Sequence, residues 1–159
     1  MSYAIGVKKY GDVTISTHHD NGFIYNHCPA KSGEAKGAMF IMHGYGGNVD
    51  QWNIRVKEAH LAMPDMDIYS LQAPIALDFL KDGQKAYVWT KMDSPKEILS
   101  SIAEHALGGF KISKKINDFI NTKLNDKGLK AENACVVGCS LGGLVGIPAA
   151  VANKEPYGL

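Results

Sequence analysis

The sequence lacks any apolar run long enough to cross a membrane. Its longest apolar stretches fall well short of the roughly 20 residues that a membrane-spanning helix requires, so we expect no integral membrane segment. Residues 1–10 contain lysines but no apolar core of the kind that a secretory signal carries. These two absences predict a cytoplasmic protein.

Cysteine is also scarce. Cys28, Cys135 and Cys139 are the three cysteines, and their spacing fits neither a disulfide framework nor a metal-binding motif, which is consistent with a reducing compartment. His18 and His19 are adjacent and point to opposite sides of an extended chain, so they do not suit a metal ion either. We therefore expect no bound metal.

The chain has no marked excess of one charge. Lys and Arg together number 17 and Asp and Glu together 16, so no broad electrostatic attraction to nucleic acid or to an anionic membrane is expected. Glycine-rich strand-to-helix turns can hold phosphates, but the sequence has neither Gly-x-x-x-x-Gly-Lys-Ser/Thr nor Gly-x-Gly-x-x-Gly after a strand. A nucleotide cofactor is therefore disfavoured, and we expect no cofactor.

The length and composition that remain are those of one globular domain. The chain has 159 residues, of which 45% are hydrophobic and 21% charged, so we treat residues 1–159 as a single domain. Predicted strands alternate with predicted helices, an order typical of an α/β fold with a mostly parallel sheet. The exception is the N-terminal part, where Asn21-Gly22 separates two β-rich runs at 13–17 and 23–27 and predicts an antiparallel hairpin.

The middle of the chain predicts further strands and helices. Buried strands are expected at 38–42 and 66–71, the second ending at Gln72-Ala73-Pro74, and a loop over the sheet rim at 75–92. Asn48 and Gln51 form a capping pair for one helix, and Ser94 caps another that runs to Gly108. Helically spaced core positions are predicted at Trp52, Val56, Ala59, Ile112, Ile116, Phe119, Ile120 and Leu124.

The most informative stretch lies near the C-terminus. The apolar run 134–137 predicts a buried strand, and it leads directly into Gly138-Cys139-Ser140-Leu141-Gly142 and a second apolar run with helical character. A strand, a sharp turn centred on a serine and a helix together form a nucleophile elbow, in which Gly138 and Gly142 allow close approach. The alternative is that Ser140 only caps the following helix. Pro148, inside this helix, is expected to kink it or end it early.

A second glycine-rich segment follows the predicted strand 38–42. His43-Gly44-Tyr45-Gly46-Gly47 requires the backbone to turn tightly or to approach a ligand closely. Together with Ala73-Pro74, the patch 87–89 and the elbow, this ordered set resembles the phospholipase/carboxylesterase branch of the α/β-hydrolases, which includes the acyl-protein thioesterases. The resemblance covers residues 10 to 157, and it implies an α/β-hydrolase-like fold. Cys139 departs from it, since the family often has an aromatic residue there.

Residue by residue, the resemblance implies a site. Ser140 would be the nucleophile, and the backbone N–H groups of Tyr45 and Leu141 would form the oxyanion hole, with His43 supporting its loop. The motif positions that shape the backbone would be Gly44, Gly46, Gly138 and Gly142. The implied substrate is a small acyl ester or thioester, because preplaced N–H donors stabilise the oxyanion that forms when a serine attacks its carbonyl.

The remaining triad members are missing from the sequence after Ser140. The expected order is Ser, then Asp or Glu, then His, yet all six histidines precede Ser140 and the single acid that follows it is Glu155. We therefore expect the chain to be the N-terminal two-thirds of a longer hydrolase, with the acid and the histidine beyond Leu159. A base supplied by His60 or His105 would be a non-standard alternative.

Two functions follow from these observations. The first is a serine hydrolase of carboxylic esters or acyl thioesters, acting through a Ser140 acyl-enzyme. The alternative is a non-catalytic or degenerate α/β-hydrolase-like domain that binds an acyl group or a partner, which the missing histidine favours. The strand 134–137 would be an uncovered edge in either case, and such an edge favours self-association into a homo-oligomer.

Overall fold

The computed structural model describes residues 3–77, 85–90 and 111–158. Its main sheet has six strands in the order β1-β2-β3-β5-β4-β8. The bounds of these strands, in chain order, are β1 Tyr3–Tyr10, β2 Val13–Asp20, β3 Phe23–Cys28, β4 Gly37–Met42, β5 Met66–Leu71 and β8 Ala134–Gly138. The first three strands and β5 pair antiparallel, whereas β5, β4 and β8 are parallel. The predicted α/β fold is therefore confirmed.

The N-terminal hairpin forms where Asn-Gly predicted it. Asn21 and Gly22 both have positive φ, of 50° and 77°, as a two-residue hairpin turn of the right twist requires. Asp20 pairs with Phe23 on either side of the turn. The strand β1, which the sequence analysis did not predict, extends this hairpin at the outer edge of the sheet.

In the described part of the chain, three α-helices cover the two faces of the sheet: α1 Asn53–Ala62, α2 Lys111–Asp126 and α3 Leu141–Val151. Val56 of α1 packs in a core on one face with Ile41, Ile68 and neighbouring residues. Helices α2 and α3 lie on the other face, where Phe119 packs against Phe40. The predicted helical core positions are in these two clusters, and all but Trp52, which precedes the first residue of α1, lie on the helix for which they were predicted.

Three details differ from the sequence predictions. The segment 75–92 is not all loop, because β6 Ile75–Leu77 and β7 Ala86–Val88 form a small antiparallel pair. The Asn48 side chain accepts a hydrogen bond from the Gln51 N–H, but α1 begins only at Asn53, since a turn intervenes. Helix α3 continues through Pro148 to Val151, because a helix can pass through a proline by giving up one backbone hydrogen bond.

Some predictions lie outside the described residues. These are the helix beginning at Ser94 and the candidate base His105. Within the described residues, no helix is both long and apolar enough to cross a membrane.

At the end of the sheet opposite the glycine-rich turns, a buried carboxylate connects several elements through hydrogen bonds. Asp67, near the start of β5, has a side chain only 2% exposed. It accepts hydrogen bonds from the His27 ring at 3.1 Å, the Ala30 N–H at 2.8 Å and the Tyr69 hydroxyl at 3.1 Å, and Lys127 lies 2.9 Å away. This network ties β3, β5 and the segment after α2 together.

Candidate active site

Ser140 occupies the turn between β8 and α3. Its backbone has φ 50° and ψ −119°, a left-handed conformation that residues with a side chain rarely adopt. The Ser140 side chain makes no capping hydrogen bond to α3, and the residue is exposed. Ser140 is the N-cap residue of α3, but its side chain does not cap the helix, so the structure does not support the alternative in which capping is its only role.

Two glycines make this turn sterically feasible. A Cβ on Gly142 would lie 2.2 Å from the Met42 carbonyl oxygen, and one on Gly138 would lie 2.4 Å from the Gly143 nitrogen. Both distances are far below any real contact. The first turn of α3 therefore lies directly on the end of β4, as the sequence analysis expected of these two positions.

The segment after β4 forms a tight turn beside Ser140. The Gly47 N–H donates to the Gly44 carbonyl at 3.2 Å, and Gly46 has φ 72°, which is the arrangement of a turn that needs glycine at its third position. A Cβ on Gly44 would lie 3.4 Å from the Ser140 Cβ and 3.3 Å from the Cys139 carbonyl oxygen. The structure thus brings the two glycine-rich segments into contact.

The two N–H groups predicted for an oxyanion hole lie on these two segments. Leu141 is the first residue of α3, where backbone N–H groups carry the positive end of the helix dipole. Tyr45 is the second residue of the Gly44–Gly47 turn, and its side chain is 49% exposed. In the part of the chain that the structure describes, neither N–H donates to a backbone carbonyl.

His43 is fully buried between the turn and the end of β5. Its Nδ1 lies 2.8 Å from the Gly44 carbonyl oxygen, and its Nε2 accepts from the Ala73 N–H at 3.0 Å. Burial lowers the pKa of this imidazole. With both ring nitrogens engaged inside the protein, His43 belongs to the support of the turn and does not face Ser140 as a base.

The other described histidines lie away from Ser140. His18 and His19 are on β2 and His27 is on β3, at least three strand spacings from β8, which is on the order of 14 Å. His60 is in the last turn of α1, on the face of the sheet opposite α3. The structure therefore argues against His60 as a base.

The described acids do not complete a triad either. The pair His27–Asp67 resembles a catalytic dyad in its geometry, but it lies at the other end of the sheet. Glu155 follows α3 and lies in a groove with Lys130 and Glu132, next to the start of β8. Among the described residues, the Gly44–Gly47 turn lies against Ser140, and neither an acid nor a histidine is placed to act as the acid–base partner of Ser140.

Two residues near the site were named in the sequence without a role. The Trp89 indole N–H donates to the His43 carbonyl at 2.7 Å, and the Gln72 side chain contacts the His43 ring at 3.2 Å. The signal available for Gln72 was a polar residue directly after a buried strand. For Trp89, the signal was a large aromatic residue at the end of a short β-rich run.

A groove lies between the strands β1 to β3 and the segments 48–51 and 85–87, and Ser140 is not among the residues that line it. It has a volume of about 790 Å³, and its lining includes Ile24, Val49, Gln72, Lys85 and Tyr87. Another groove of about 760 Å³ runs along the second half of α3, away from Ser140. Among the described residues, no group of three His, Cys, Asp or Glu side chains is placed to hold a metal ion.

Comparison with known proteins gives both a family and a fold. The sequence pattern of the phospholipase/carboxylesterase family matches residues 25–159. The structure resembles esterase PE8 with a TM-score of 0.69 at 21% identity, over 82% of this chain and 58% of that one. It resembles a carboxylesterase from Mesorhizobium loti with a TM-score of 0.58 at 16% identity, over 94% of this chain and 60% of that one.

A third structure leads to the same fold. A cold-adapted esterase from an Arctic intertidal metagenomic library has a TM-score of 0.60 at 10% identity, over 97% of this chain and 62% of that one. No curated protein matches the sequence. The chain thus spans 58% to 62% of the length of these three esterases and shares their α/β-hydrolase fold.

Proposed function

Because the chain belongs to the phospholipase/carboxylesterase family, we propose that it is a serine hydrolase of carboxylic esters or acyl thioesters. Ser140 is the proposed nucleophile. The acid and the histidine of its triad are proposed to come from residues beyond Leu159, since the three esterases that share the fold are longer than this chain.

The proposed reaction has two steps. The Ser140 hydroxyl attacks the acyl carbonyl, its proton passes to the triad histidine, and the alcohol or thiol leaves as an acyl-enzyme forms. Water then releases the acid by the same route. The N–H groups of Tyr45 and Leu141 stabilise the oxyanion in both steps, and the loss of one such donor typically raises the barrier by about 3 kcal/mol.

One observation carries this proposal. Ser140 has a left-handed backbone, no capping hydrogen bond and an exposed position, while Gly44 lies against its Cβ. A strained serine held in this way is difficult to explain by stability alone, because such a conformation costs on the order of 1–3 kcal/mol. Strain of this size is characteristic of functional residues.

We propose that the acyl group of the substrate lies against the segment 75–92, because Tyr87 in this segment pairs with Gly47 at the end of the Gly44–Gly47 turn. Short-chain esters, lysophospholipids and protein thioesters are all compatible with the proposed chemistry. The protein is proposed to act in the cytoplasm.

The test uses the natural polypeptide from its own cells. Its intact mass is compared with 17.2 kDa, and a mass several kilodaltons higher is expected if residues beyond Leu159 supply the triad. A fluorophosphonate probe should label this protein at Ser140, and Ser140→Ala should abolish both labelling and ester hydrolysis. Cys139→Ser is the matched control, because it changes the exposed neighbour and leaves the proposed nucleophile in place.

The second candidate, an acyl-binding domain without catalysis, is favoured by one observation. His43, the histidine that contacts the turn, has both ring nitrogens engaged in hydrogen bonds. A natural protein of 17.2 kDa that binds fatty acyl ligands but takes no fluorophosphonate would support this candidate and reject the hydrolase.

A further inference from the structure

We propose that Gln72 is a positioning residue that orients the N–H of Tyr45 through the ring of His43. This inference rests on the proposed function, since it concerns the oxyanion hole of the same site. Gln72 is 5% exposed and follows the last residue of β5. Its amide bridges two points of the segment after β4, the His43 ring at 3.2 Å and the Val49 N–H at 3.0 Å.

The direction of every hydrogen bond in this network is determined by backbone groups. The Val49 N–H can only donate, so the Gln72 oxygen accepts from it and the Gln72 NH₂ must face His43. The Ala73 N–H also can only donate, and it points at His43 Nε2 at 3.0 Å. Two donors therefore converge on Nε2, which must carry a lone pair.

The proton of a neutral His43 consequently lies on Nδ1. From there it is donated to the Gly44 carbonyl oxygen at 2.8 Å, and this oxygen also accepts from the Gly47 N–H at 3.2 Å. Two donors thus fix the peptide plane that joins Gly44 to Tyr45. In a trans peptide the N–H points opposite to the C=O, so the Tyr45 N–H is directed away from the His43 ring and out of the turn.

The surroundings keep this arrangement in place. His43 is completely buried, its ring packs on Trp89 with centroids 5.3 Å apart, and burial lowers its pKa, which favours the neutral ring. A protonated or Nε2–H ring would place a proton against two donors. Gln72 therefore excludes the ring states that would release the Gly44 carbonyl.

The first measurement needs no variant. In the natural protein labelled with ¹⁵N, long-range ¹H–¹⁵N correlation spectra should show His43 as the neutral Nδ1–H tautomer from pH 6 to 8. An Nε2–H tautomer or a charged ring at neutral pH would overturn the proposal. This result is independent of any enzymatic activity.

The second measurement uses Gln72→Met, which keeps the length of the side chain but removes the amide. We expect kcat for an activated ester to fall about tenfold with KM changed less than threefold, because the loss affects the donor to the oxyanion and not the binding of the substrate. Gln72→Glu has the same shape but places a carboxylate at Nε2, so it should lower kcat further and move the proton of His43 from Nδ1 to Nε2 in the spectrum.

Gln51→Met is the matched control, since Gln51 is exposed and its side chain does not contact His43. It should leave kcat, KM and the His43 signal unchanged. If Ser140→Ala abolishes hydrolysis while a folded Gln72→Met keeps wild-type kcat, the role of Gln72 is rejected and the proposed function stands. If Ser140→Ala hydrolyses esters like wild type, the proposed function itself is rejected, and the positioning role with it.

Discussion

Close backbone contacts at single residues define the geometry around Ser140. Gly142 lies against the carbonyl oxygen of Met42, and neighbouring Gly143 has more room, since a Cβ there would lie 3.3 Å from the Gly138 oxygen. The two glycines are adjacent in one helix turn, yet they have different spatial constraints. This difference allows a direct comparison.

Gly142→Ala should destabilise the protein by about 3 kcal/mol, the upper end for overpacking, because the added methyl meets backbone that cannot move aside. It should also disrupt the turn at Ser140. Gly143→Ala is the control, and its effect should stay within about 1 kcal/mol because a small shift relieves its contact. Urea denaturation followed by circular dichroism measures both, and equal losses for the two variants would contradict this explanation.

Asp67 gives a prediction about pH. Burial opposes its ionisation most strongly, but hydrogen bonds from His27, Lys127 and the Ala30 N–H outweigh it and hold the pKa of this carboxyl well below its ordinary value. A carboxyl with a depressed folded pKa stabilises the protein above its unfolded pKa of about 4, and this stabilisation is lost as the pH falls.

Asp67→Asn should therefore lower the free energy of unfolding by about 3 kcal/mol at pH 7, as expected for breaking a buried ion pair. This loss should become smaller as the pH approaches 3. Asp65→Asn serves as control, because Asp65 is half exposed and pairs with Lys36 at the surface, where such pairs contribute less than about 1 kcal/mol. The free energies of unfolding of wild type and both variants are measured from denaturation curves at several pH values. A difference between wild type and Asp67→Asn that does not change with pH would show that ionisation is not responsible.

Much of the site at the residue scale could be read from the sequence, but the network behind it could not. Glycine spacing located the Ser140 turn and the Gly44–Gly47 turn, because only glycine permits such close approach. The partners of His43 are a different matter. Gln72 and Trp89 contact His43 from segments that follow other strands. No local sequence pattern predicts which side chains meet across a sheet.

Among the elements, α2 is joined to the N-terminal hairpin by one buried ion pair. Lys123 lies 2.7 Å from Asp20, with side chains 6% and 11% exposed, and its ammonium sits over the rings of Tyr25 and Phe119. Asp20 is the residue directly before the hairpin turn. Helix α2, late in the chain, thereby stabilises the hairpin turn near the N-terminus.

Lys123→Met should destabilise the protein by about 3 kcal/mol, because it leaves the Asp20 carboxylate buried without its cation. The double variant Lys123→Met with Asp20→Asn should recover part of this loss. Lys114→Met on the same helix is the control, since the Lys114–Asp118 pair is exposed and contributes little. Thermal melting of the three variants and wild type tests the contribution of this ion pair, and a double variant less stable than Lys123→Met would contradict the prediction.

The sequence predicted long elements better than short ones. Strands β4, β5 and β8 and helix α2 have the length and periodicity that identify them without tertiary information. The strands β6 and β7 are three residues each, and among the described residues they pair with each other and with Gly47. Their conformation therefore depends on contacts that the local sequence does not contain. The turn before α1, because of which the helix begins only at Asn53, likewise depends on contacts outside the local sequence.

For the molecule as a whole, β8 is one of the two edge strands of the described sheet, and β1 is the other. Within the described residues β8 pairs only with β4, and Val137 on it is 38% exposed. An uncovered apolar edge is a template for pairing with another chain. The expected self-association therefore has a specific location in the structure.

A polypeptide of residues 1–159 should form concentration-dependent oligomers, and Val137→Lys should shift them towards monomer, because an edge lysine discourages strand pairing. Ile147→Lys is the control, as Ile147 is 66% exposed on α3 and away from the edge of β8. Sedimentation equilibrium distinguishes the cases. Equal effects of both lysines would point to general solubility instead of edge pairing.

The pairing of β4 with β8 also determines when the two glycine-rich segments can meet during folding. The hairpin of β1 to β3 joins neighbours in the chain, so it can close early and at small entropic cost. Met42 pairs with Gly138, from which it is separated by most of the sequence, and contacts of such long sequence separation form slowly and late. On a ribosome, the contact between Gly44 and Ser140 can therefore form only after β8 has been synthesised, and reactivity that needs both segments would report that this pairing has formed.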